Sequence, residues 1–135
     1  MKAFSAILVA LSALSFSAPA RAQTTQSVTL NWTAPGDDGN AGTATSYQMR
    51  YSTTPVGADT LSWWNAATAL TGLPAPQIAG SAETFTTPPL PVGATYYFVM
   101  IACDEVPNCS GFSDVAVKTL SDTVPPSAVT DLRGQ

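Results

Sequence analysis

Histidine is absent from all 135 residues. That removes the side chain that most often serves as general base or metal ligand near neutral pH. Charge is scarce as well: 10% of residues are charged, five cations against nine carboxylates. An acidic chain so poor in cations repels nucleic acid and anionic lipid, which excludes both as partners. Apolar runs long enough to span a bilayer are also missing. Ala6 to Phe16 comes nearest, but Ser12, Ser15, Ser17 and Pro19 interrupt it well before the roughly 20 apolar residues a membrane helix needs. With Lys2 ahead of that run and Ala20-Arg21-Ala22 behind it, residues 1–22 read as a signal peptide cleaved after Ala22. The mature chain is therefore expected to be secreted or periplasmic. Without Lys2 and Arg21, three cations (Arg50, Lys118, Arg133) face nine carboxylates, a net charge of −6.

What is present is β-strand material. Ala94 to Cys103 is a ten-residue stretch without charge, rich in aromatic and β-branched residues. Turn residues flank it: Pro91 and Gly93 before, Pro107 and Asn108 after. At period two, Tyr96, Phe98, Met100 and Ala102 share one face, and Tyr97, Val99, Ile101 and Cys103 the other. Both faces are apolar, so the strand belongs mid-sheet, covered on one side by a second sheet and partly on the other. Around it, Val28, Leu30 and Trp32 alternate with polar residues until Pro35, and Tyr47, Met49 and Tyr51 form a second alternating set. Glu83 to Thr86 and Asp114 to Thr119 read as shorter strands, and Trp63 to Ala67 as another. No amphipathic helix is expected outside the leader. The sum is an all-β, two-sheet antiparallel sandwich over residues 23–121.

The order of these residues resembles a fibronectin type III domain, an immunoglobulin-like fold. The likeness rests on Trp32 in an early strand, Tyr47-x-Met49-x-Tyr51 in the third, Leu90 six residues before Tyr96, and Val117-x-Thr119 at the end. It is closest to the domains of exported bacterial proteins, which similarly run Trp-Thr-Ala-Pro-Gly-Asp-Asp-Gly and then Tyr-x-x-Arg-Tyr-Ser. The resemblance implies that Trp32 is the core tryptophan. It also implies that the Tyr96 hydroxyl ties the turn after Leu90 to the sheet. One departure stands out. The family's opening pattern, Pro-x-x-Val-x-x-Leu, is not found ahead of the Trp32 strand, and a similar pattern appears at Pro125 to Leu132. Two readings compete for residues 122–135. They are a linker with the start of a further domain, or a strand that folds back or is exchanged with a neighbouring molecule through residues 125–132.

Candidate sites are few. Cys103 and Cys109 flank a five-residue loop, and in an exported chain with two cysteines a disulfide is expected. In a sandwich of this topology the turn at Asp37 and Asp38 and the loop at Asp104 and Glu105 lie at one end. Four carboxylates there could form a calcium site, or Asp37 and Asp38 could serve only as turn formers. Trp63 and Trp64, adjacent in a strand, would point to opposite sides. That leaves Trp63 and Tyr97 as aromatic surfaces for a sugar ring or a partner's proline, unless each lies flat on its own sheet. No serine or threonine has a base within a recognisable motif, and no cofactor is expected. The function expected is a non-catalytic binding or spacer module with a protein or polysaccharide partner. The alternative is an accessory fragment of a larger secreted hydrolase.

Overall fold

A computed structural model describes residues 24 to 134 except 107, 124 and 127; the signal peptide read in residues 1–22 lies outside them. In chain order the elements are β1 (Thr25–Gln26), β2 (Thr29–Thr33), β3 (Ser46–Ser52), α1 (Thr60–Ala66), β4 (Thr68–Ala69), β5 (Ala82–Thr86), β6 (Leu90–Pro91), β7 (Ala94–Cys103) and β8 (Ala116–Leu120). The charge-free stretch is β7, and it sits inside a four-stranded sheet of order β4-β3-β7-β8. β2 pairs with β5 and β1 with β6, and every pairing is antiparallel. The architecture is all-β and sandwich-like, with one short helix. Among the described residues no helix is long and apolar enough to cross a membrane.

The core follows from the alternation in β7. Tyr96 and Phe98 turn inward and pack with Val28, Met49, Leu70, Leu90 and Leu120. Each such aliphatic or aromatic side chain, once buried, contributes about 1.5–3 kcal/mol. The Tyr96 hydroxyl donates to the Pro91 carbonyl at 2.8 Å, which fastens the turn before β7 to the strand. Gly93 makes that turn with φ +89°, a value that other residues adopt only under strain. Tyr96→Phe is expected to lower unfolding stability by about 1 kcal/mol through loss of that bond. Urea denaturation of the pair checks it, and equal midpoints would show that the bond contributes nothing.

Two expectations need correction. Residues 63–67 do not form a strand: Trp63 and Trp64 lie on α1, where adjacent side chains differ by about 100° rather than pointing to opposite faces. Asp59 starts the helix, its carboxylate accepting from the Ser62 N–H at 3.0 Å and the Ser62 hydroxyl at 2.7 Å. Those bonds, the hydroxyl's first, hold the Asp59 carboxyl below its ordinary range. The helix lies on the outer face of the sheet, where Trp63, Trp64 and Ala67 cover Val99. The last strand also begins two residues later than expected and runs to Leu120. The Met100 N–H is bound by the Ser113 hydroxyl at 3.0 Å and the Ala102 N–H by the Ser110 hydroxyl at 3.1 Å. Side chains there replace the carbonyls of a regular ladder.

Candidate functional site

At one end of the sandwich, the turn after β2 meets the loop after β7. Gly36 permits the turn because a Cβ there would collide with the backbone of Ala41, and the Asp37 N–H bonds the Ala41 carbonyl at 2.8 Å. Across from it, Cys103 and Cys109 are joined, with Cα atoms 4.1 Å apart. The Asp104 carboxylate accepts from the Asn108 backbone N–H at 3.0 Å and from its side-chain amide at 3.1 Å. A cleft of about 300 Å³ lies between the two loops. The disulfide closes so short a loop that its contribution should be roughly 2 kcal/mol. Replacing both cysteines with serine is expected to lower stability by about that amount, and urea melts with and without reductant measure it.

Asp37 is the unusual member of this end. Its Oδ1 is out of solvent and has no hydrogen-bond partner. Loss of hydration raises its carboxyl above the ordinary 3.8, and the negative charges of Glu105, Asp38 and Asp104 push the same way. A raised folded value means that the ionised form is the one disfavoured by folding. The penalty is absent in acid below the unfolded value and complete once pH exceeds the folded one. Asp37→Asn is therefore expected to raise the melting temperature at neutral pH, with the gain fading as pH falls from the raised value toward 3.8 and absent below it. Paired thermal melts across that range would show it; a pH-independent difference would assign the effect to something other than charge. Asp37 feels the charges of the other three carboxylates, yet among the described residues no group of three or more acidic or cysteine side chains could hold a metal ion.

A larger opening runs along the side of the sandwich. Between β2 and β8 lies a groove of about 580 Å³, with Leu30, Trp32, Met49 and Phe98 on its walls and Val117 and Lys118 at its rim. Among the described residues, no strand pairs with the edge of β2 that faces away from β5. Lys118 stands opposite Tyr96 and Ala116 opposite Phe98, so both occupy the inward face of the sheet. They are nonetheless exposed, as is all of β8 except Leu120. On the facing strand Leu30 and Trp32 are half-buried. The Trp32 ring packs edge-on against Tyr47, with centroids 5.4 Å apart, and its Nε1 is out of solvent without a hydrogen-bond partner. Inward positions left uncovered are the mark of this groove. No local pattern in the sequence announces it.

The aromatic surface expected at Trp63 and Tyr97 is not found as such. Trp63 is 7% exposed and its indole N–H donates to the Thr54 carbonyl at 2.8 Å. Tyr97 is half-buried against the same cluster. Phe112 is the aromatic that reaches solvent there, 39% exposed with its ring 5.3 Å from that of Trp64.

Glu83 is a polar residue that the strand pattern gave no reason to single out. It lies on β5 at 5% exposure, where its Oε1 accepts from the Tyr47 hydroxyl at 3.2 Å and the Gln77 N–H at 2.6 Å. It thus ties β3, β5 and the chain before β5 together. Burial, with the Glu83 charge adding, raises the Tyr47 hydroxyl above its ordinary value. The comparisons with known proteins return nothing: no family model, no curated protein and no solved structure matches this chain.

Proposed function

We propose that this chain is a non-catalytic extracytoplasmic module of the fibronectin type III kind, acting by binding an extended polypeptide. The observation that carries this reading is the groove. It combines an unpaired strand edge, β2, with an apolar wall of Leu30, Trp32, Met49 and Phe98. An extended chain laid there would satisfy the β2 backbone and drop alternate side chains onto that wall, the two elements of recognition by strand addition. A polysaccharide has no backbone amides to complete such a ladder. The reading is tested by titrating apolar extended peptides into labelled protein. Amide shifts at Thr29 to Thr33 and at Ala116 to Lys118 support it, and unmoved amides there overturn it.

A second reading, an accessory polysaccharide-directed fragment of a larger secreted hydrolase, rests on Phe112. Half-exposed over Trp64, it is the aromatic positioned to stack on a sugar ring. Retention on insoluble polysaccharide that Phe112→Ala abolishes would favour this reading over the first.

A further inference from the structure

We infer that the groove is filled by the tail of a second copy of this chain, residues 128–133 (Ala-Val-Thr-Asp-Leu-Arg), entering as a strand along β2. The inference rests on the reading of the groove as a strand acceptor and names the occupant. The tail carries apolar residues without a home: Val129 is 76% exposed and Leu132 89% exposed. They are among the large hydrophobic side chains most open to solvent in the described chain. Six extended residues span roughly 20 Å, enough to cover the five of β2.

Direction decides which copy supplies the strand. β8 ends at Leu120, whose carbonyl accepts from the Gly93 N–H at 2.6 Å, and the Gln26 side chain reaches the Ser121 carbonyl at 3.2 Å. The chain therefore leaves the sandwich at the end where β2 begins. A tail folding back on its own groove would have to run parallel to β2. A tail arriving from another copy at the opposite end, beside Asp37 and Asp104, would run antiparallel to it. Antiparallel pairing is the more stable per residue, and it is the pairing used throughout this molecule. An incoming tail in that direction runs alongside β8 from Ala116 toward Leu120. Its late residue Asp131 then comes level with Lys118, the exposed cation on the groove rim. In such a strand Val129 and Asp131 share one face, toward the groove wall and Lys118, and Leu132 lies on the other. Because donor and acceptor surfaces differ, the contact is head-to-tail and leaves a free tail and a free groove at the two ends of every oligomer.

Sedimentation velocity of the full chain from micromolar to millimolar concentration is the test. A weight-average mass that climbs with concentration is expected, and Val129→Asp with Leu132→Asp should return it to the monomer. Asp131→Lys should weaken association on the order of tenfold, and adding Lys118→Glu to it should restore the affinity. Association that survives Val129→Asp with Leu132→Asp would overturn the inference. So would a monomer at every concentration. If that monomer still binds an unrelated extended peptide at β2, the acceptor reading stands and only the self-donation fails. If no peptide binds, both fail. A monomer whose amides at 128–133 are protected from exchange would mean that the tail serves its own sandwich, which also overturns donation between copies.

Discussion

Trp64→Ala is expected to lower unfolding stability by about 3–5 kcal/mol, the usual consequence of deleting a buried indole. Trp64 is 6% exposed and lies with Trp63 and Ala67 over Val99, one of the two most deeply buried side chains described. Losing the ring would uncover the outer face of the central strand and leave Phe112 without its ring contact. Arg50 is bound up in the same place, its guanidinium 5.0 Å from the Trp64 ring centre and its Nη1 donating to the Trp64 carbonyl at 2.9 Å. The carbonyl bond survives Trp64→Ala and the cation–ring contact does not, a smaller loss of about 0.5–1 kcal/mol. A domain of this size has roughly 5–15 kcal/mol in total, so the variant should sit near the edge of folding. Urea denaturation followed by circular dichroism measures it. A loss under about 1 kcal/mol would mean that α1 does not cover the sheet in solution.

Glu83→Ala is the second large effect, and here opposing contributions must be weighed. Removing the carboxylate strands two donors, the Tyr47 hydroxyl and the Gln77 N–H, at about 1–3 kcal/mol each. Against this, the wild-type residue keeps its other oxygen, Oε2, out of water with no partner, a cost that the substitution relieves. Two stranded donors outweigh one relieved acceptor, and a net loss of about 2 kcal/mol is expected. Glu83→Gln separates the two contributions. It retains an acceptor for both donors and removes the charge, so it should stay within about 1 kcal/mol of wild type. If Glu83→Gln proves as damaging as Glu83→Ala, the negative charge itself is what the site requires.

The contrast between these two sites shows which parts of the fold are written locally. β7 was legible to the residue, Ala94 to Cys103, because ten uncharged residues between turn formers leave no other assignment. β3 was legible because Tyr47, Met49 and Tyr51 alternate with polar residues, and the disulfide because only two cysteines exist. The helix was not legible. Adjacent indoles favour a strand by propensity, and the signal that competes with it, Asp59 capping Ser62, spans four residues. β1 carries no local signal, because Thr25 and Gln26 are both exposed and polar, and only pairing with Leu90 and Pro91 makes them a strand. The groove and the Glu83 bonds depend on residues far apart in the chain, on Tyr47 and Gln77 or on β2 and β8 together. Nothing short of the folded topology displays them.

The hydroxyls of Ser110 and Ser113 have a consequence for how the two margins of this molecule differ. By standing in for carbonyls beside Ala102 and Met100, they make the chain before β8 irregular. The outer border of the larger sheet is thereby shortened to five residues, with a lysine in their midst. Short, irregular, charged borders discourage indiscriminate lateral growth between molecules. Among the described residues β2, equally short, carries no charged side chain along its open edge.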